Sequence, residues 1–332
     1  MQYSRLHSLP TTKKKTHKKR LKRKLFRRSS LILLAALVGA YFFLNRPHYS
    51  TQQNNGGKVE AAMTPAPPSK YDLSSVALPQ NGQAAIAVSE ESLNIHTNSN
   101  NVWPMASITK IITTLAILQK SPLEPGQTGE TFTLNQKDEQ YYWDYAAKQG
   151  TITPVTAGYE MNKYEILQTM LLASSNNMTD SLVDRYFSSR EEYISYANDM
   201  LKSLGLSRTK IADASGFSPE SVSTPSEMVK IGQIALKNPV IAEIVRQPNA
   251  SPRVSGWIPN YNALINQPGV TGIKPGMTDQ SGYNLLFSFE TPNKDGQNVT
   301  VIGIVMGMFN RVEYLQALNA LMDAGKAAVA SQ

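Results

Sequence analysis

Residues 104–118 read PMASITKIITTLAIL, a short polar head followed by an almost wholly apolar body. Over residues 108–118 apolar side chains occupy nearly every face of the helix that this pattern predicts, as in a helix buried on all sides. We expect the helix to begin near Ser107, so that Ser107 and Lys110, three positions apart, project from the same face. The stretch therefore predicts a buried helix with a hydroxyl and an amine at its N-terminal end.

The chain from residue 71 onward alternates between strand and helix patterns. The predicted strands are 83–88, 93–97, 283–289 and 300–308, and the predicted helices are 163–172, 178–186, 190–204, 226–236 and 312–324. The first two strands are expected to form a hairpin, and a turn at residues 292–296 joins the last two. Strands at both ends with helices between them favour an α+β fold, an antiparallel sheet flanked by a helical cluster.

The first 70 residues differ in composition from the rest. Residues 1–28 are strongly basic, and residues 29–46 contain the apolar run LILLAALVGAYFFL. Because positive residues stay in the cytoplasm, we expect a basic cytoplasmic tail at 1–28 and a single transmembrane signal-anchor at 29–46. Residues 47–70 are rich in Asn, Gln, Gly and Pro and predict a flexible linker. It would hold a folded domain, residues 71–332, outside the cell membrane; cleavage after the small residues 38–40 is the alternative.

The net charge of +8 belongs to one end of the chain. Residues 1–46 contain 13 Lys and Arg and no Asp or Glu, whereas the remainder has 20 basic and 25 acidic side chains. The folded part is therefore acidic, and we expect no nucleic-acid partner despite the high isoelectric point.

Cysteine and histidine usage narrows the possible chemistry. The chain has no Cys, which excludes disulfides, thiol catalysis and thiolate metal sites. The four histidines are His7, His17, His48 and His96. Only His96 falls in the folded part, so a Ser-His-Asp triad would have to use it, and no multi-histidine metal centre fits there. We expect neither a metal nor an organic cofactor.

A reactive serine would need a base near Ser107. A serine hydroxyl is a poor nucleophile until a neighbour accepts its proton, and Lys110 accepts one only when it is neutral. Its pKa would have to fall from about 10.4 towards 7, and both burial and a second nearby cation would lower it. Ser207 and Lys210 repeat the spacing in a polar stretch, so the spacing alone has little specificity.

Two further motifs follow Ser107 and Lys110 in the chain. Residues 174–177 read SSNN at the end of a predicted helix, where they either bind substrate or cap a helix, in the register Ser174/Asn176 or one position later. Residues 274–276 read KPG, in which Lys274 could bind a carboxylate and repel a proton on Lys110. The order SxxK, SxN, KxG is the signature of penicillin-interacting serine enzymes.

With these motifs the chain resembles the low-molecular-mass penicillin-binding proteins, the serine D-alanyl-D-alanine carboxypeptidases, from about residue 71 to 325. The flanking stretches MLLASSN (170–176), LGL (204–206), ASGF (214–217) and GVTGIK (269–274) are also similar to the family. The resemblance implies a β-lactamase/transpeptidase-like fold with an all-helical subdomain. It also implies peptidoglycan stem peptides ending in D-Ala-D-Ala as substrate, and β-lactams as inhibitors.

The resemblance also assigns roles to residues. It makes Ser107 the acylated nucleophile and Lys110 its base, with Ser174 and Asn176 as the second catalytic element. The residues that it places at the substrate are Lys274, Gly276, Met277, Thr278 and Arg311. Of these, Lys274 and Arg311 would face the terminal carboxylate, and the backbone N–H groups of Ser107 and Met277 would form the oxyanion hole.

The chain departs from the family pattern at Pro275, where the family usually has Thr or Ser. The hydroxyl contact with substrate would be lost unless Thr278 compensates. Three alternatives remain open: a serine β-lactamase, a catalytically silent penicillin-binding scaffold, and a D,D-endopeptidase that cuts cross-links. A serine β-lactamase is expected to contain a Glu-x-x-Leu-Asn element between the second and third motifs, and this sequence has none there. A D,D-endopeptidase would use the same residues as a carboxypeptidase.

Overall fold

The computed structural model describes residues 70–89 and 94–332. The predicted basic tail at 1–28, the signal-anchor at 29–46 and nearly all of the linker lie outside the described residues. Within the described part of the chain, no helix has the length and apolar character needed to cross a membrane.

The sheet at the centre of the fold is antiparallel. In chain order the strands are β1 (Gln83–Val88), β2 (His96–Thr97), β3 (Trp103–Pro104), β4 (Thr131–Thr133), β5 (Glu160–Asn162), β6 (Val222–Ser223), β7 (Asn249–Ala250), β8 (Ile258–Pro259), β9 (Val270–Thr278), β10 (Gly282–Pro292) and β11 (Asn298–Met308). Five of them form the main sheet in the order β2-β1-β11-β10-β9, and the others form two-stranded ribbons. β9 is therefore an edge strand, which is where a strand tolerates a proline such as Pro275.

Helices cover both faces of this sheet. They are α1 (Thr109–Lys120), α2 (Gln136–Ala147), α3 (Lys163–Leu171), α4 (Asn176–Tyr186), α5 (Arg190–Ser203), α6 (Pro225–Lys237), α7 (Pro239–Val245) and α8 (Arg311–Ala330). α8 packs on one face, and α6 packs on the other and leads into the helical cluster around α1. The predicted α+β architecture is confirmed.

Side chains along each strand alternate between the two faces of the main sheet, and both faces are covered by apolar packing. In β1, Ala84 and Ile86 belong to the core beneath α8, whereas Ala85 and Ala87 belong to the core of the helical cluster. Successive strand side chains point to opposite faces, so a sheet covered on both sides has few exposed positions. All six residues of β1 are buried.

α1 runs through the helical cluster as its pattern predicts. Ile111, Ile112 and Ile117 are fully buried, each stabilising the fold by about 1.5–3 kcal/mol relative to an exposed side chain. The start of the helix differs from the expectation, however. A 3-10 turn, Ala106–Ile108, precedes it, so Ser107 lies in this turn and α1 begins at Thr109.

Among the longer elements, α2, α7 and β9 were not predicted from the sequence, and neither were the short strands β3 to β8. The segment that forms α2 is largely polar and buries only Asp138 and Tyr145, so it has no apolar stripe that would reveal a helix. Its start is instead defined by a capping box, in which Asn135 and Asp138 each bind the other's backbone N–H. The predicted hairpin is confirmed, because β2 pairs antiparallel with β1.

Candidate active site

Ser107 lies in a sharp turn between β3 and α1. Ala106, just before it, has φ 48°, in the left-handed region that residues other than glycine rarely adopt. The edge strand β9 approaches this turn closely at Gly276. A β-carbon there would lie 2.7 Å from the Met105 carbonyl oxygen and 3.0 Å from the Ser107 backbone nitrogen. Glycine at position 276 therefore permits β9 to lie against the backbone that carries Ser107.

Lys110 is fully buried one turn after Ser107, and its amine has three polar neighbours. Nζ lies 2.9 Å from Ser107 Oγ, 2.7 Å from Asn176 Oδ1 and 2.7 Å from the Ser215 carbonyl oxygen. The last two groups can only accept hydrogen bonds. A neutral amine has two N–H groups and one lone pair, so donating to both acceptors leaves the lone pair for Ser107 Oγ.

The surroundings of Lys110 favour this neutral form. Burial lowers the pKa of Lys110 to about 7, although the carboxylates of Asp213 and Asp180 oppose the shift by stabilising the charged amine. Burial and a second cation were the two expected causes, and of these only burial lowers the pKa of Lys110. A substantial fraction of the amine is therefore neutral near pH 7, as a base acting on a serine hydroxyl requires.

Two adjacent serines at the start of α4 have different surroundings. Ser174, with φ 60°, lines the same cavity as Ser107, and Asn176 bonds Lys110. Ser175 is fully buried and caps α4 by accepting from the Met178 backbone N–H. Ser175 Oγ also donates to Asn177 Oδ1. Ser174 thus lines the cavity and Asn176 binds the Lys110 amine, whereas Ser175 and Asn177 bind each other at the helix terminus.

Lys274 on β9 is also fully buried, and its Nζ has no hydrogen-bond partner within the described chain. Burial lowers the pKa of Lys274 well below its ordinary value, and repulsion from Lys110 lowers it further. From the sequence, Lys274 was expected to repel a proton from Lys110. In the structure the repulsion instead lowers the pKa of Lys274, while burial lowers that of Lys110.

The remaining predicted substrate residues are divided between two places. Met277 is exposed and lines the cavity, as do Gly276 and Arg311. Thr278 does not line it. Its backbone N–H and its hydroxyl both donate to Ser281 Oγ in the turn after β9. The Thr278 side chain therefore stabilises that turn.

The cavity beside Ser107 has a volume of about 270 Å³. Its lining residues are Ser107, Thr151, Ser174, Tyr261, Ala263, Pro275, Gly276, Met277, Tyr283, Asn284, Arg311, Tyr314 and Leu315. It brings a hydroxyl backed by a buried amine together with an arginine and an edge strand. That combination suits acyl transfer from a substrate that carries a carboxylate.

Comparison with known proteins identifies the chain. Residues 75–310 match the Peptidase_S11 family, described as D-alanyl-D-alanine carboxypeptidase. The chain belongs to this family. The D-alanyl-D-alanine carboxypeptidase DacF of Bacillus subtilis is 27% identical over 68% of the chain and 57% of its own length. A D-alanyl-D-alanine endopeptidase of Pseudomonas aeruginosa is 23% identical over 74% of the chain and 78% of its own length. The chain thus spans little more than half of the Bacillus relative.

Solved structures show the same fold as this S11 peptidase. The Streptomyces K15 DD-transpeptidase is 22% identical, with a TM-score of 0.66 over 76% of this chain and all of its own. The D-alanyl-D-alanine carboxypeptidase of Mycobacterium tuberculosis is also 22% identical, with a TM-score of 0.63 over 76% of this chain and 94% of its own.

Several residues at the cavity of this S11 peptidase were not predicted. Lys110 binds the backbone carbonyl of Ser215, and a carbonyl leaves no signal in the residue type. Thr151 and Tyr261 line the cavity from loops. Resemblance of the ASGF stretch to the family was the one signal that pointed towards Ser215. Among the described residues, no group of three or more His, Cys, Asp or Glu side chains is arranged to hold a metal ion.

Proposed function

We propose that this S11 peptidase is a serine D-alanyl-D-alanine carboxypeptidase that removes the terminal D-Ala of peptidoglycan stem peptides through an acyl-enzyme on Ser107. One observation carries the proposal. The Lys110 amine lies 2.9 Å from the Ser107 hydroxyl, while Asn176 Oδ1 and the Ser215 carbonyl accept its N–H groups, so that in the neutral form its lone pair is left for Ser107. Membership of the S11 family supports a substrate that ends in D-Ala-D-Ala. So do one carboxypeptidase relative and one endopeptidase relative.

The proposed reaction has two halves. Ser107 Oγ attacks the carbonyl carbon of the penultimate D-Ala while its proton passes to Lys110 Nζ. The C–N bond then breaks, and the departing amine of the terminal D-Ala takes a proton from the site. Water next attacks the ester carbonyl, which releases the shortened peptide and returns the proton to Ser107. We assign Ser174, on the cavity wall, to the proton transfer to the departing amine. We assign Asn176 to holding the Lys110 amine in position.

The negative charge that forms on the carbonyl oxygen needs hydrogen-bond donors. We assign this role to the backbone N–H groups of Ser107 and Met277, and the close packing of Gly276 on the Ser107 backbone supports the assignment. Lys274 and Arg311 are assigned to the terminal carboxylate. Arg311 lines the cavity, and Lys274 is a buried amine without a hydrogen-bond partner within the described residues. β-Lactams would acylate Ser107 in place of the peptide.

We also propose that the domain works on the outer side of the cell membrane. The composition of three segments supports this: a basic tail at 1–28, an apolar run within 29–46, and a linker at 47–70. The basic tail would stay in the cytoplasm and the apolar run would anchor the chain. A linker of this length and composition reaches roughly 25–30 Å, enough to keep the domain close to the surface.

A second candidate, D,D-endopeptidase activity on cross-links, is favoured by relatives of that description in Pseudomonas aeruginosa and Haemophilus influenzae. The same nucleophile and base serve both reactions. Release of D-Ala from a pentapeptide and cleavage of a cross-linked muropeptide dimer, measured on one preparation, distinguish the two.

The decisive test is intact-protein mass spectrometry after incubation with benzylpenicillin. The wild-type chain should gain one penicilloyl adduct, located on the Ser107 peptide, and should release D-Ala from a stem pentapeptide. Ser107→Ala should abolish both, while Ser207→Ala, which alters the exposed second SxxK site, should leave both unchanged. A chain that remains unmodified, or an adduct on another residue, would refute the proposal and favour a silent scaffold. Rapid loss of the adduct would indicate a β-lactamase.

A further inference from the structure

The loop that supplies the Ser215 carbonyl is organised around the carboxylate of Asp213. Oδ1 accepts from the Gly216 backbone N–H at 3.1 Å and from the Ser221 hydroxyl at 2.7 Å. Oδ2 accepts from the Ser215 hydroxyl at 2.9 Å and the Phe217 backbone N–H at 2.8 Å. One carboxylate thus binds the Ser215 hydroxyl and the backbone N–H groups of Gly216, Phe217 and Ser218. We call residues 213–218 the Asp213 loop.

The Asp213 loop touches the catalytic elements at three points. The Ser215 carbonyl oxygen accepts from Lys110 Nζ at 2.7 Å, and the Ala214 carbonyl accepts from Thr113 Oγ1 at 2.6 Å. Gly216 packs on the turn that carries Ser107: a β-carbon there would lie 1.8 Å from the Ala106 carbonyl oxygen. A displacement of this loop would therefore move both the base and the nucleophile.

The charge of Asp213 also reaches Lys110. Its carboxylate raises the pKa of Lys110, as does that of Asp180 on α4, against the lowering by burial. The titratable groups that face Lys110 or its neighbours are Asp213 on the loop, Asp180 on α4, Lys274 on β9, Tyr145 on α2, Tyr193 and Arg190 on α5, and Ser107 on its turn. Of these, only Asp213 holds the backbone that binds Lys110.

We propose that Asp213 is a positioning residue for acylation, which holds the Ser215 carbonyl against Lys110 and Gly216 against the nucleophile turn. This inference rests on the proposed function of Ser107 and Lys110, and extends it to a residue outside the three motifs. The carboxylate acts through the loop and through its charge on Lys110, and none of its hydrogen bonds within the described residues reaches the Ser107 hydroxyl or the Lys110 amine.

The test uses Asp213→Asn, which keeps the shape but removes the charge and turns one acceptor into a donor. The acylation rate with a fluorescent penicillin is measured from about pH 5 to 9. Above the midpoint of the profile we expect the acylation rate of the variant to be about ten- to a hundredfold lower than that of the wild type, because small displacements of catalytic groups reduce rates by such factors. The midpoint itself should move to lower pH, because the carboxylate no longer favours the charged amine. Asp199→Asn, the same change at an exposed position on α5, should alter neither quantity.

A second variant separates geometry from charge and guards against misfolding. Ser221→Ala removes one hydrogen bond to the Asp213 carboxylate and the acceptor of the Ala212 and Asp213 backbone N–H groups, but leaves the charge of Asp213. The rate should therefore fall by a smaller factor, about three- to tenfold, with an unchanged midpoint. If folded Asp213→Asn acylates as the wild type does, the inference is overturned. If that variant does not fold, an unchanged rate in Ser221→Ala overturns it. A wild-type chain that penicillin does not acylate would instead refute the proposed function.

Discussion

Gly216 lies directly against Ala106. A β-carbon at Gly216 would be 1.8 Å from the Ala106 carbonyl oxygen and 2.6 Å from Thr109 Oγ1, far inside any allowed contact. Gly216 also has φ 74°, a conformation that glycine adopts without strain. Gly216 is therefore required for two reasons: it adopts the backbone conformation of the loop, and it leaves room for the turn that carries Ser107.

Replacing Gly216 by Ala is expected to abolish acylation by penicillin, because the turn that carries Ser107 would have to move away. Gly205 is a matched control, since it has φ 72° and nothing within 4 Å of a β-carbon. Gly205→Ala should cost only about 1–2 kcal/mol of stability from the strained backbone, with acylation retained. Acylation rates and thermal melting of the two variants give the comparison. Full acylation of Gly216→Ala would contradict the close packing of Gly216 on Ala106.

The pH profile of acylation should report the pKa of Lys110. Because that pKa is lowered to about 7 and the neutral amine is the base, the rate should rise with pH through about 7 and fall below it. Lys110→Arg should be inactive throughout, because an arginine stays charged at these pH values. Stopped-flow measurement with a fluorescent penicillin checks both expectations. A flat wild-type profile across this range would exclude Lys110 as the titrating base.

The two adjacent serines of the second motif should separate catalysis from stability. Ser174→Ala should slow acylation by about a hundredfold or more while leaving thermal unfolding unchanged, because its side chain faces the cavity. Ser175→Ala should retain acylation but lose about 1–3 kcal/mol of stability, because it removes the cap of α4 and its buried hydrogen bonds. The opposite pattern of effects would assign the catalytic register to Ser175.

An ion pair away from the cavity should matter for stability alone. Arg185 donates two hydrogen bonds to Asp138, whose side chain is 1% exposed, so Asp138→Asn should cost about 3–5 kcal/mol by leaving the arginine unpaired. Lys137→Ala, which removes an exposed partner of Asp184, should cost about 1 kcal/mol or less. Denaturant unfolding of both variants tests the difference, and equal losses would show that burial of the pair is unimportant.

The same pair predicts a pH dependence of stability. Burial raises the pKa of Asp138, but the hydrogen bonds from Arg185, Ser181 and the Asn135 backbone, together with the charge of Arg185, outweigh burial and hold the pKa below its ordinary value. A lowered carboxyl pKa contributes stability that is complete above the unfolded value of about 3.9 and is lost as pH falls below it. In wild type, unfolding free energy should therefore decline below about pH 4, and Asp138→Asn should flatten this part of the curve.

Pro275 lines the cavity from the edge strand, where the family usually has a hydroxyl. Thr278 is engaged with Ser281, so it is poorly placed to supply the missing group. Pro275→Thr should therefore increase acylation by about three- to tenfold, the worth of one hydrogen bond of roughly 0.5–1.5 kcal/mol. Pro292→Thr, at the far end of β10, serves as the control. An unchanged rate in a folded Pro275→Thr chain would show that this enzyme does not need the hydroxyl.

The fold was predictable where burial leaves a regular pattern. α1 and the two long strands β10 and β11 bury nearly all of their residues, so their apolar runs predict them well. β9 was missed because its sequence, VTGIKPGMT, contains two glycines and a proline, which signal turns in an isolated sequence. Pairing with β10 overrides that local preference.

The site was predictable only as far as residue types show it. Motif order and resemblance pointed to Ser107, Lys110 and Lys274, but not to the second acceptor for the amine, which is the main-chain carbonyl of Ser215. The direction of the coupling between the two lysines also depends on burial, which no spacing along a chain reveals. Asp213 looked like any loop acid in the sequence.

The pairing of β1 with β11 has a consequence for how the domain comes into being. β1 is among the first described elements to be synthesised, yet its main partner strand is made near the end, so Ala85 must wait for Ile304. Until then, this apolar strand can pair only with the two residues of β2. Such distant partners make assembly slow. We therefore expect the nascent chain to depend on a chaperone that binds this apolar strand until the ribosome has completed the chain.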